Sequence, residues 1–165
     1  MMEKTVIYPV STKWGVFRLI ISKKGLVALS FPKPKIPYRN RVVPARIKRV
    51  ASLLERELAH YVKTGSVNIK KIPTDFTLLT PMQKKMCTVI SKIPPGETRT
   101  YEWLAAKCGI PKGARAIGGV LGSNPMPVFF PCHRIVRKDG SLGGFSSGIN
   151  WKRRLLEHEK AQQLY

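Results

Sequence analysis

Acidic residues are scarce in this chain. Nine Asp and Glu face 30 Lys and Arg over 165 residues, a net charge of +21, and the pI is about 10.4. A surface so unbalanced fits either a merely solvated cationic face or a polyanionic partner, nucleic acid first among them. Cysteine is also sparse: Cys87, Cys108 and Cys132 make three, with no CxxC pair. That argues against a disulfide framework and a cysteine-rich zinc site. His60, His133 and His158 are scattered, and neither a metal nor another cofactor is expected. Long apolar runs are missing as well. None approaches the ~18 residues of a membrane span, and "MMEKTVIYPV" lacks the apolar core of a signal peptide. The expectation is a cytoplasmic protein, nuclear if its source has a nucleus, with no membrane partner.

What is present divides into two regions, residues 1–77 and 78–165, each with enough apolar sequence for a modest core. The first opens with three β-rich runs, "TVIYPV", "GVFRLIIS" and "GLVALSF", which predict a small antiparallel sheet. A Pro-rich loop, "PKPKIPYRNRVVP", follows. In "ARIKRVASLLERELAHYVKTG", Ile47, Val50, Leu53, Leu54 and Leu58 recur three and four apart, one face of a helix stopped by Gly65. A short strand at "VNIK" would complete an α/β unit. Nothing here carries chemistry, so a scaffold is expected.

The second region begins with Thr80, Pro81 and Gln83: an N-cap, a proline at the first helical position and a capping-box partner. Met82, Met86, Val89, Ile90 and Ile93 form the expected buried stripe, ended by "IPPGE". "TYEWLAAKCGIPKGARAIGGVLGSNP" then predicts a helix over 100–107, a turn through Gly109 and Pro111, and a helix over about 113–121, a helix-turn-helix. Gly118, Gly119 and Gly122 each cost about 1 kcal/mol relative to alanine in that second helix. Two uses would compensate. One is tight packing in the core; the other is a bare face that lets a backbone lie against a nucleic-acid groove, with Arg115 at its start.

"PVFFPCHRIV" sets Cys132 beside His133. A lone cysteine after "VFF" is most often a small buried hydrophobe. Its neighbours weigh the other way. His133 is a proton acceptor, Arg134 adds positive potential, and "WKRRLLEHE" reads as a helix capped by Asn150, with Leu155 and Leu156 inward. Glu159 follows a turn later and could orient the histidine. Nucleophile, base and orienter are what an activated thiolate needs, and the expected thiol pKa is below that of a free thiol.

Taken with "TYEWLA", "ARAIGG", "SNPMPVFF", "GGFSSG" and "LLEHE" in order and spacing, "PCHRIV" resembles the PCHRV signature of the O6-alkylguanine-DNA alkyltransferases, also called methylated-DNA–protein-cysteine methyltransferases. The resemblance is close from Thr80 onward and holds only in outline before it. It implies an α/β (α+β) protein: a ribonuclease-H-like α/β scaffold over 1–77, and a mostly helical domain over 78–165 carrying the helix-turn-helix and the active site. Cys132 would be the alkyl acceptor, His133 a base acting through a water, Glu159 the acid that orients it, and Tyr101 the proton donor at guanine O6. Arg115 would fill the gap left by a flipped nucleotide, and Ala114, Ala116, Gly118 and Gly119 would let their helix approach the minor groove. Asn124 with Pro125 would form a hinge, Phe145 would stack in the pocket and Ser146 would donate to the base. The implied partner is double-stranded DNA carrying O6-alkylguanine, bound by a monomer that is consumed in one turnover.

Some positions depart from the family pattern. Phe145 replaces a frequent tyrosine, Gly122 replaces a basic residue found in some members, and the N-terminal zinc ligands of other members are missing, since His60 is alone there. Residues 1–80 hold 16 Lys and Arg against four acidic residues, so the positive charge is not confined to the DNA-facing half. Two other functions compete. An alkyltransferase-like lesion-binding protein would lack the cysteine that is present here. A cysteine hydrolase built on Cys132, His133 and Glu159 would need an oxyanion-hole signature, and none is recognisable.

Overall fold

The computed structural model describes residues 5–33 and 43–162, with side chains through residue 160. It separates into two compact units, Met1–Thr77 and Leu78–Tyr165. In the first, β1 (Val6–Thr12), β2 (Gly15–Ile21) and β3 (Leu26–Ser30) form an antiparallel sheet in that order. Alternation along β2 buries Phe17, Leu19 and Ile21 on one face, the period-2 pattern of a half-covered sheet. Helix α1 (Ala45–Thr64) packs on β1 and β2 and buries Ile47, Ala51, Leu54, Leu58, Tyr61 and Val62. It stops where Gly65 takes φ 70° and gives its N–H to Tyr61 O at 2.7 Å, a left-handed end that favours glycine.

The predicted strand at "VNIK" does not form. Ile69–Lys71 is a single 3-10 turn, because the Asn68 side chain accepts from Lys70 N at 3.2 Å. That local bond competes with sheet pairing. The sheet is met a few residues later by a parallel bridge between Leu26 and Thr74. Most of the Pro-rich loop lies outside the described residues.

In the second unit, α2 (Pro81–Ile90) starts on the expected capping box: Gln83 N donates to Thr80 Oγ1 at 3.2 Å, and Thr80 N to Gln83 Oε1 at 2.8 Å. Its buried stripe is Met86, Cys87 and Ile90, with Ile93 beyond the helix end, while Met82 and Val89 are only half-buried. Next, β4 (Arg99–Thr100) pairs in parallel with β5 (Ile135–Val136). This short ladder positions the site. At the end of β4, Thr100 caps α3 (Tyr101–Lys107), and β5 directly follows the Cys132 turn. Helix α4 (Ala114–Gly122) buries Ile117 and Leu121 and packs on α3. The last helix, α5 (Ile149–Gln162), packs against the Cys132 turn. It begins two residues earlier than expected, so Asn150 lies inside it and does not cap it. Gly148, at φ 98°, turns the chain there and its carbonyl accepts from Trp151 N at 3.1 Å. No helix among the described residues is long and apolar enough to cross a membrane.

Candidate active site

The reactive segment is held from behind by one asparagine. Asn124 is buried; its Oδ1 accepts from Met126 N at 3.1 Å and its Nδ2 donates to Phe130 O at 2.9 Å. The amide thus closes the turn through Pro125, as Asx turns do. Within that loop Val128 has φ 75°, a strained conformation for a β-branched residue, and is fully buried beside Phe129 and Phe130. The loop delivers Cys132, His133 and Arg134 as one 3-10 turn.

Behind the turn stands a buried carboxylate. Glu159 Oε1 lies 2.6 Å from His133 Nε2 and 2.8 Å from Arg134 Nη2, and its Oε2 accepts from Arg134 Nε at 3.0 Å and from Gly96 N at 3.2 Å. Burial works to raise the Glu159 pKa, but the hydrogen bonds of His133 and Arg134 and the Arg134 charge prevail and hold it at about 2. An ionised carboxylate only accepts, so His133 Nε2 carries the proton and Nδ1 is left as the basic nitrogen. Burial, joined by the charges of Arg134 and Lys152, keeps His133 below the usual histidine range despite Glu159. The imidazole is neutral and ready to take a proton.

In front of the turn is a cavity of about 700 Å³. Cys132 lines it together with Tyr101, Ala114, Arg115, Gly118, Phe145 and Ser146, all expected site residues; Leu121, Gly122, Arg137 and Gly144 complete much of the wall. Tyr101 is the first residue of α3, and burial raises its pKa, with Cys132 adding to the effect and Arg137 opposing it. It keeps its phenolic proton. Gly143, at φ 68°, is shaped to this side chain: a Cβ there would come within 2.7 Å of the Tyr101 hydroxyl. Gly119 lies on α4 outside this wall, with nothing within 4 Å of where its Cβ would be. Asn124, His133 and Glu159 support the thiol from within.

The thiol departs from expectation. Burial pushes Cys132 up to about 11, although the Asn124 side chain, the Lys152 charge and backbone hydrogen bonds all favour the thiolate. Desolvation wins because only 4% of the residue is exposed. Lys152, which no motif singles out, is fully buried. Its Nζ donates to Ile135 O at 2.6 Å and Gly144 O at 3.2 Å, and it lies 5.8 Å from the centre of the Tyr101 ring. It ties β5, the loop after Gly143 and the tyrosine together. Burial brings its ammonium down to about 8, against the charge of Cys132. Lys152, Leu155, Leu156 and Glu159 are all buried at i, i+3, i+4 and i+7 on α5, and that spacing was the available signal. Arg134, read as diffuse positive potential, is a buried fork on Glu159 whose Nη1 also reaches Ile93 O.

A buried cysteine in the wall of a cavity, backed by a neutral histidine and an ionised carboxylate, defines a protein of thiol-based nucleophilic chemistry. Comparison with known proteins narrows the class. The pattern described as 6-O-methylguanine DNA methyltransferase, DNA binding domain, matches residues 81–161. A methylated-DNA–protein-cysteine methyltransferase from Methanosarcina barkeri is 35% identical over 153 residues, covering 88% of this chain and 91% of that one. One from Methanothermobacter thermautotrophicus is 44% identical over 85 residues, 52% of this chain, and the match spans only 47% of that relative's length. Among solved structures, Mycobacterium tuberculosis OGT in complex with DNA has a TM-score of 0.75 at 30% identity, covering 93% of this chain and 92% of that one. The chain belongs to the methylated-DNA–protein-cysteine methyltransferase family.

Proposed function

We propose that the protein repairs DNA by moving the alkyl group of O6-alkylguanine onto Cys132. The observation that carries this reading is the placement of Cys132 in the wall of one cavity with Tyr101, Arg115, Phe145 and Ser146. The cavity admits a flipped base, with Phe145 stacking on it and Ser146 donating to it. The Cys132 proton passes to His133 Nδ1, directly or through a water, while Glu159 steadies the imidazolium. The sulfur attacks the alkyl carbon in line with O6, the C–O electron pair goes to the guanine, and Tyr101 hydrogen-bonds or protonates the leaving oxygen. Net, the alkyl group and the thiol proton exchange places. No neighbouring group is suited to cleave the thioether, so each molecule reacts once.

In the same reading α3, the turn through Gly109 and α4 act as a helix-turn-helix whose glycine-bearing face enters the minor groove. Support comes from the glycines. A Cβ at Gly118 would make only ordinary contact, 3.7 Å from the Tyr101 ring, and one at Gly119 or Gly122 would meet nothing within 4 Å, so close core packing does not explain them. Arg115 occupies the space of the extruded nucleotide. The first unit is a ribonuclease-H-like scaffold, in keeping with its antiparallel β1–β3 and following helix, and the protein works as a monomer.

Mass spectrometry after incubation with excess O6-methylguanine DNA is the test. One added methyl per chain, on Cys132, is expected, and sustained turnover would refute the assignment. Arg115→Ala is expected to slow repair of duplex DNA far more than reaction with free O6-benzylguanine, which needs no flipping. Equal slowing of both would remove the finger role.

A further inference from the structure

The buried side of α1 faces the sheet; its opposite side is a row of cations. Arg49, Arg56 and Lys63 recur every seven residues, Arg46 and His60 flank them, and all five are exposed. At 3.6 residues per turn the three lie within about 40° of each other and run about 21 Å along the axis. The helix's own carboxylates are turned away: Glu55 accepts from the Tyr8 hydroxyl at 2.8 Å and Glu57 from Asn68 N at 3.5 Å. Among the described residues no ion pair involves the five. Arg46 and Arg49, like charges three residues apart, repel each other on the helix surface. The first turn adds to this, with no acidic residue and with Arg46 and Lys48 set against the helix dipole. The row costs the free protein stability that a bound polyanion would return.

We infer that this face of α1 is a second phosphate-contacting surface, which tracks the backbone of undamaged duplex DNA while the cavity-bearing unit handles the lesion. Over about 21 Å a duplex presents roughly 12 phosphates, ample for three or four cations with no demand on base sequence. The inference rests on the DNA partner proposed above, and it gives a use to part of the basic excess of the first 80 residues. Its use is retention on DNA during search, when damaged sites are rare among ordinary ones.

The test uses the full chain with Arg49→Gln, Arg56→Gln and Lys63→Gln combined. Dissociation constants for a short undamaged duplex are measured across a salt series, alongside the rate with free O6-benzylguanine. The slope of log affinity against log salt is expected to shrink by about 0.9 per lost contact, so by about 2.7 for all three. The free-base rate should stay unchanged, which also shows that the variant folds. Arg49→Lys with Arg56→Lys should keep the original slope, because a phosphate accepts either cation. An unchanged slope in the glutamine variant overturns the inference, and so does lost binding to phosphatidylglycerol vesicles with an unchanged DNA slope. If the wild-type protein shows no salt-dependent duplex binding, the DNA reading itself fails, and this surface with it.

Discussion

At Cys132 two effects oppose each other: burial, which disfavours the thiolate, and the Asn124 amide, the Lys152 ammonium and backbone N–H groups, which favour it. With burial ahead, the thiol is protonated at neutral pH. Iodoacetamide should therefore react slowly at pH 7, at a rate that climbs toward pH 11 and not through a midpoint below 8.5; mass-spectrometric labelling rates across a pH series measure this. The charged neighbours of Cys132 alone predict the opposite, because a string of letters carries no measure of burial. Gly143 yields a second test. Its left-handed φ and the 2.7 Å approach to the Tyr101 hydroxyl leave no room for a methyl group. Gly143→Ala should slow transfer from O6-benzylguanine by about 10²-fold, the cost of an ångström-scale misplacement, while iodoacetamide still labels Cys132.

At the scale of elements, α4 separates two uses of glycine. A methyl at Gly119 meets nothing, so Gly119→Ala should stabilise the folded protein by about 1 kcal/mol through helix propensity. If that bare face approaches DNA, the same variant should bind duplex more weakly and react normally with the free base. Thermal melting and duplex titration measure the two effects. Elements with strong local signals were legible in the sequence: α2 from its capping box, α1 from its period and Gly65, and β1–β3 from their runs. "VNIK" misled because its apolar alternation says nothing of Asn68 bonding to Lys70 N. Asn150 misled because the positive φ of Gly148, invisible in a string of letters, starts α5 two residues sooner. That His133 and Glu159 meet behind Cys132 was readable from motif spacing. The roles of Lys152 and Arg134 were not, since a buried cation looks like any surface lysine or arginine until its partners are known.

Across the second unit, Glu159 joins three distant stretches: the loop at Gly96, the Cys132–Arg134 turn and α5. Its folded pKa of about 2 lies below the ordinary 4.5, so its stabilising contribution is complete above pH 4.5 and is lost as pH falls through about 2. Glu159→Gln leaves the Arg134 cation buried without its counter-charge and should cost about 3 kcal/mol or more. It should also flatten the acid limb of stability, as urea unfolding at pH 3 and pH 7 would measure. The resting thiol has a consequence for the molecule's lifetime. Oxidants and stray electrophiles consume cysteines in proportion to thiolate character and exposure, and Cys132 offers them little of either. If each molecule reacts once, as proposed, it lasts only as long as its warhead stays unspent, and a cysteine kept protonated and buried has a long shelf life among wrong targets.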